Sequence, residues 1–206
     1  MITLKEMHAL ERHAKSQGVF SSELMDNAGK QVARVIKERY PLAGKHIIIF
    51  AGSGHNGGDG LVAARHLATE CPTSVFLFTS KQELSETVKE KYDLIKGKVP
   101  IFEIKTLQDL QNFKIHPGLK TIIIDALIGT GFTPPLQEPL LSAINYFNGL
   151  KSTKISIDIP SGTHPDQGPL NSAYCQSDVI IALHDIKIGL QEFADKTIIV
   201  DIGIPN

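Results

Sequence analysis

Tryptophan is absent from this 206-residue chain, and aromatic residues make up only 6% of it. So few rings provide no stacking platform of the kind used to bind single-stranded nucleic acid. Neither sign of charge dominates: 21 lysines and arginines face 22 aspartates and glutamates, with no block of either. Nucleic acid and membrane surfaces, which leave a basic footprint, are thereby excluded as main partners. The only cysteines, Cys71 and Cys175, are far apart with no CxxC spacing. They read as inert buried thiols in a reducing compartment rather than as a disulfide. No apolar run approaches the ~20 residues that span a bilayer. No signal peptide precedes Thr3, where a charged helix begins, so the expected location is cytoplasmic. Internal repeats, low-complexity tracts and linkers are also missing, and a hydrophobic content of 42% is enough for one core. The expectation is a single domain over residues 1–206.

What is present is a repeated strand, turn and helix. Thr3-Leu-Lys-Glu6 is a capping-box pattern opening a helix with Met7, Leu10 and Ala14 on one stripe, and Gly18 stops it. A second helix is predicted from about Ser22 to Tyr40. Both precede any strand and read as an N-terminal addition packed on the sheet, and the pair offers a surface for a homodimer. Strands are predicted at His46–Phe50, Thr73–Thr79, Val99–Ile104, Thr121–Asp125, Lys154–Ile159, Ser177–Leu183 and Lys196–Asp201. Helices are predicted from Ser80, opened by a second capping box Ser80-Lys-Gln-Glu83, to about Gly97, over Thr106–Phe113 and over Leu136–Phe147. Several strands are continuous β-branched runs, the pattern of strands covered on both faces. The fold class is therefore α/β, a doubly wound and mostly parallel sheet with two extra N-terminal helices.

In such a sheet, ligands bind outside the carboxyl ends of the strands. Unusual residues collect at three of these ends. The first strand runs into Ala51–Gly60, AGSGHNGGDG. The fourth is followed by Asp125-Ala-Leu-Ile-Gly-Thr-Gly131 and Phe132-Thr-Pro-Pro135, and the fifth by Asp158-Ile-Pro-Ser-Gly162. Gly52, Gly54 and Gly57 match G-x-G-x-x-G, but that dinucleotide pattern also wants an acid ending the second strand. There the chain reads Phe78-Thr79-Ser80, with no acid before Glu83, which disfavours a NAD(P)-dependent oxidoreductase. Each residue taken singly has a structural reading. Asp59 suits a helix first turn, Asp125 and Asp158 suit caps, Gly129-Thr-Gly131 suits a plain turn, His8 and His13 suit a surface, and Lys187 suits solvent. Their joint occurrence at three strand ends favours a site, because an aspartate ending an apolar strand must shed water.

Together these segments resemble the NAD(P)H-hydrate epimerase family, the YjeF-type N-terminal domain. The likeness covers nearly the whole chain. It rests on Leu24-Met-Asp-Asn-Ala-Gly29, Gly54-His-Asn-Gly-Gly-Asp-Gly60 with Ala63-Ala-Arg-His-Leu67, Asp125…Gly129-Thr-Gly131, Asp158-Ile-Pro-Ser-Gly162 and Lys187…Gly189-Leu190. The resemblance implies a three-layer αβα Rossmann-like sandwich. It also implies an isomerase that interconverts the R and S forms of hydrated NADH or NADPH, a small-molecule substrate. A separate ADP- or ATP-dependent dehydratase would then restore the cofactor, so the expected form is a stand-alone epimerase.

Carried over by position, the resemblance implies that His55, Asn56, Gly57, Gly58 and Asp59 bind the substrate. Gly129, Thr130, Gly131, Phe132, Thr133, Pro134 and Pro135 would wrap it, and Asp158 would contact it. It implies a potassium ion held by Asn56, Asp125 and Ser161, an oxygen set that suits a hard cation. The family usually carries two asparagines before the glycines, and this chain has His55 at the first. Epimerisation needs a group that donates and then accepts a proton, whether through a ring iminium or a ring-opened intermediate. Asp158 is the expected catalytic acid, raised by desolvation at the end of an apolar strand, with Lys187 tuning the site. The same fold used as a non-catalytic nucleotide-binding or interaction module is the alternative. It predicts erosion of Asn56, Asp125, Asp158 and Ser161, all of which stand.

Overall fold

The isoleucine-rich runs become the interior of a parallel sheet because both of their faces are covered. The computed structural model describes residues 1–113, 120–131, 135–170 and 173–205. Its strands are β1 (His46–Ala51), β2 (Thr73–Leu77), β3 (Ile101–Glu103), β4 (Thr121–Ala126), β5 (Thr153–Ile157), β6 (Thr163–His164), β7 (Gly168–Pro169), β8 (Val179–Leu183) and β9 (Thr197–Val200). Seven of them form one sheet in the order β3-β2-β1-β4-β5-β8-β9. Every pairing in it is parallel. The chain winds outward from β1 to β3, returns to β4 and winds out the other way. The topological switch therefore lies between β1 and β4, where the loops leaving the two strands diverge and open a crevice.

Alternation sorts the side chains of β1 between two layers, since successive residues of a strand point to opposite faces. Ile47 and Ile49 pack with Val32, Ile36, Leu61 and Val88 from α2 (Ser21–Arg39), α3 (His55–Leu67) and α4 (Glu86–Ile95). Ile48 and Phe50 pack with Leu110 of α5 (Leu107–Asn112) and with Ile144 and Phe147 of α6 (Leu140–Gly149). Phe50 anchors this second layer, its ring centroid 5.7 Å from Phe76, 5.1 Å from Phe78 and 6.0 Å from Phe147. Each such fully buried side chain stabilises the fold by roughly 1.5–3 kcal/mol. Cys71 and Cys175 are both buried and unbridged. Among the described residues, no helix is long and apolar enough to cross a membrane.

The Thr3 capping box forms as expected: Glu6 N–H donates to Thr3 Oγ1 (3.2 Å), and Thr3 N–H donates to Glu6 Oε2 (2.8 Å). It opens α1 (Leu4–Ser16). Helix α2 crosses α3 at Gly29, where a Cβ would sit 2.4 Å from Val62 Cβ and 2.7 Å from the Asp59 carbonyl oxygen. That close crossing explains the glycine of the Leu24–Gly29 motif.

Some boundaries differ from expectation. The Ser80–Glu83 box caps only a short 3-10 turn, Lys81–Glu83, after which Leu84 is extended and Ser85 caps α4 anew. Helix α6 starts at Leu140 rather than Leu136, because the residue before Pro139 is driven out of helical geometry. The β6–β7 hairpin and the 3-10 segment Ile188–Lys196 have too little periodicity to be anticipated.

Candidate active site

The glycine turn leaves β1 against the backbone of the β4 loop. A Cβ on Gly52 would lie 1.9 Å from the Leu127 carbonyl oxygen, so only glycine lets the two switch loops touch. Gly54 is the N-cap of α3 and lends it no side-chain cap. The first-turn amides of α3 are thus unclaimed by a cap and suit an anion. His55 is exposed at this end, whereas Asn56 is buried. Among the described residues neither the amide oxygen nor the amide nitrogen of Asn56 has a hydrogen-bond partner. That is a costly arrangement for a buried polar group unless a ligand completes it.

Asp125 ends β4 with no exposed surface, in register with Phe50 on one side and Ser156 on the other. Its carboxylate is saturated by protein donors. Ser161 Oγ (2.5 Å) and Leu127 N–H (3.2 Å) donate to Oδ1, and Ser156 Oγ (2.7 Å) and Ser161 N–H (2.9 Å) donate to Oδ2. Ser161 Oγ also accepts from Ile128 N–H at 2.8 Å. Asp125 and Ser161 therefore pin the loops after β4 and β5 together. Burial pushes the Asp125 carboxyl up, and the hydrogen bonds from Ser161 and Ser156 oppose it. Gly129 lies beside Asn56, its Cβ position 3.2 Å from Asn56 Cβ, which brings the Asn56 side chain to the same corner.

Asp158, just past β5, adopts φ +64°, a left-handed conformation uncommon for a side-chain-bearing residue. The turn is over-determined. Asp158 N–H donates to Ile181 O (2.8 Å), and Leu183 N–H donates to Asp158 Oδ1 (3.2 Å). Lys187 reaches the same Oδ1 with its ammonium and also donates to Leu183 O at 2.9 Å. Lys187 is wholly buried rather than solvated. Such left-handed residues persist where surrounding bonds hold them, and they cluster at functional sites.

Asp59, one turn into α3, is 7% exposed. Burial pushes its carboxyl well above the usual carboxylate range; the Asp158 carboxylate adds to this and the Lys187 ammonium opposes it. The sequence reading puts the raised acid at Asp158. The structure pairs Asp158 directly with Lys187, and burial pushes up the carboxyl of Asp59, which α3 carries inward.

These groups line a cavity of ≈ 870 Å³ over the β1/β4 switch. Of the residues expected at the site, His55, Asn56, Asp59, Gly129, Thr130, Gly131, Pro135, Asp158 and Lys187 line it. Gly57 and Gly58 do not, because they are buried in α3 with Gly58 packed against Met25. Asp125 and Ser161 stand behind the loops. Phe132, Thr133 and Pro134 lie outside the described residues.

The sequence reading missed one whole wall. His8, Glu11, Arg12 and Lys15 of α1 line the cavity, so this helix is part of the site and not an outer addition. His8, Arg12 and Lys15 recur at spacings of four and three, one helical face, and that periodicity is the signal that was available. Ile2 fixes the helix there: its N–H donates to Ile186 O (2.8 Å), and its carbonyl accepts from Ile188 N–H (3.1 Å), on either side of Lys187.

Comparison with known proteins follows the same outline. The family model described as YjeF-related protein N-terminus matches residues 21–189. A protein of Nitrosopumilus maritimus named NAD(P)H-hydrate epimerase is 32% identical over 99% of this chain and 95% of its own length. One of the same name from Cenarchaeum symbiosum is 34% identical with the same coverage. A bifunctional NAD(P)H-hydrate repair enzyme Nnr of Methanopyrus kandleri is 31% identical, but this chain spans 42% of it. The crystal structure of yeast ynu0 superposes with a TM-score of 0.84 at 26% identity, over 98% of this chain and 87% of that one.

Proposed function

This chain belongs to the YjeF-related N-terminal family, and from that premise we propose that it is an NAD(P)H-hydrate epimerase. It is an isomerase interconverting the R and S forms of hydrated NADH or NADPH. The observation that carries the reading is the meeting of one lysine and two buried aspartates, Lys187, Asp158 and Asp59, on the wall of a cavity at the switch point.

Epimerisation must erase and rebuild the configuration at the carbon bearing the added hydroxyl. Protonation of that hydroxyl lets it leave as water, and the ring nitrogen lone pair fills the vacated position to form an iminium. Water then adds to the opposite face and returns its proton, so no net proton, water or electron is consumed. Asp59, which lines the cavity and whose carboxyl burial pushes well above the usual carboxylate range, supplies and recovers the proton. Asp158, held by Lys187, presents negative charge to the cationic ring. The α3 amides and the α1 residues Arg12 and Lys15 receive the diphosphate.

We propose a potassium ion at Asn56, which Asp125 and Ser161 would join only by giving up hydrogen bonds they now make to the protein. The unpartnered Asn56 amide oxygen is the group such an ion would satisfy, and all the donors are hard oxygens. When bound, it would hold the three loops in register and weaken the desolvation penalty on Asp125. In the longer relatives named as bifunctional repair enzymes, further chain accompanies this part. We propose functional coupling to a dehydratase that takes the epimer onward. The same proposal takes residues 1–206 as one cytoplasmic domain, with the outer faces of α1 and α2 available for a homodimer.

The test is incubation with one purified hydrate epimer, followed by chromatography or proton NMR. The other epimer should grow in to equilibrium with no added nucleotide. An unchanged single epimer would refute the reading.

A further inference from the structure

The second strand has no acid at its end in sequence, yet the fold puts one there. After β2 the chain turns back through the short Lys81–Glu83 helix, and the Glu83 carboxylate folds onto the carboxyl end of the strand. Thr79 Oγ1 (2.8 Å), Ser80 N–H (2.9 Å) and Ser80 Oγ (2.9 Å) all donate to it, and all three end on one oxygen, Oε2. No donor among the described residues takes Oε1. These bonds, led by the Ser80 N–H, hold the carboxyl below its ordinary range, so it stays ionised at neutral pH.

This carboxylate borders a second recess of ≈ 500 Å³, lined also by Thr79, Ser80, Ile104 and Lys105. Ser53 and Phe78 line both this recess and the main cavity, so the two adjoin at the glycine turn. Lys105 is largely exposed and lies 3.7 Å from Glu103, and its ammonium adds a smaller pull that also lowers the Glu83 carboxyl. A dinucleotide whose diphosphate rests on the glycine turn carries its reacting ring towards β4 and β5 and its other half over β2. In doubly wound sheets, an acid at that position takes the ribose 2′-hydroxyl.

We propose, given the epimerase reading, that this recess seats the adenosine-side ribose, with its 2′-hydroxyl donating to Glu83 Oε1. The site thereby prefers the NADH hydrate to the NADPH hydrate. A phosphate ester on that hydroxyl would face a fixed, ionised carboxylate, and like charges so placed oppose binding.

The test measures dissociation constants by calorimetry for purified NADH hydrate and NADPH hydrate, each as the same single epimer. The wild type should bind the NADH hydrate about tenfold more tightly at low salt, and the ratio should shrink as salt screens the repulsion. Glu83→Gln, which can still accept the capping bonds, should bring the two constants within about threefold of each other. An equal or inverted preference in the wild type would overturn the proposal, as would a ratio that Glu83→Gln leaves unchanged. A wild-type preference for the NADPH hydrate that Lys105→Gln abolishes would assign the recess to phosphate instead. Epimerisation followed in parallel separates the two claims. Turnover without the preference sinks the ribose assignment alone, and the preference without turnover sinks the epimerase reading alone. Failure to bind either hydrate sinks both.

Discussion

Replacing Lys187 with methionine isolates the pair on which the site is built. The lysine side chain is 1% exposed and that of Asp158 10%, so solvent can do little to replace the lost partner. Methionine fills similar volume but removes the ammonium that holds Asp158 Oδ1 and the Leu183 carbonyl. What is left to the carboxylate is a single 3.2 Å hydrogen bond from Leu183 N–H. Breaking a buried pair by deleting one partner costs about 3–5 kcal/mol. Asp158 keeps the Leu183 N–H, so the expected loss lies near the lower end, ~3 kcal/mol. For a chain of this size that lowers Tm by roughly 6–12 °C. Asp158→Asn alone should also destabilise, since it strands a buried ammonium. The double variant removes both charges at once and should lose less than the sum of the singles by about 1–3 kcal/mol. Urea melts of the four proteins complete the cycle. Additive losses, or a loss below ~1 kcal/mol for Lys187→Met, would show that the pair is not the buried constraint described.

Asp59→Asn removes a carboxyl whose folded pKa is raised. Such a group contributes stability that is complete below its unfolded value and is lost as pH rises through the folded one. The variant should therefore melt higher than wild type at pH 7–8, by roughly 1–3 kcal/mol of stability. The gain should vanish near pH 3–4, where both forms are neutral. Its epimerisation should fall by ~10²–10⁴-fold, the scale of a missing acid–base group, as chromatography of a single epimer would read. Exchanging potassium for choline should lower Tm in the wild type and leave Asn56→Leu unaffected; equal melts of the wild type in both salts would dismiss the ion. Gly52→Ala would press a methyl into the Leu127 carbonyl, 1.9 Å from the new Cβ. It should cost about 3 kcal/mol or more and be read first as lost soluble protein.

Much of the frame is legible from local pattern. Continuous runs such as Thr121–Asp125 mark buried parallel strands because only a sheet covered on both faces has no use for alternation. The Thr3–Glu6 cap closes within one turn, so four residues are enough to specify it. The glycine turn and the aspartates after β4 and β5 could be gathered because one rule of sheet topology brings strand ends to a single edge.

Tertiary structure decided the rest, because burial and pairing depend on segments that meet only after folding. Leu4 N–H finds Asp166 Oδ1 at 2.7 Å across 162 positions, and Ile2 brackets Lys187. No periodicity within either segment announces those contacts, yet they make α1 a cavity wall. Lys187 reads as a solvated lysine until the turn after β8 delivers it beneath Asp158. Asp59 reads as a first-turn acid until the α2–α3 crossing buries it, and Glu83 as an ordinary cap until it is seen at the end of β2. The residue types that can carry the chemistry were written in the chain. Their charge states and assignments came from what surrounds them, since the cost of an ion is set by the water and partners it loses.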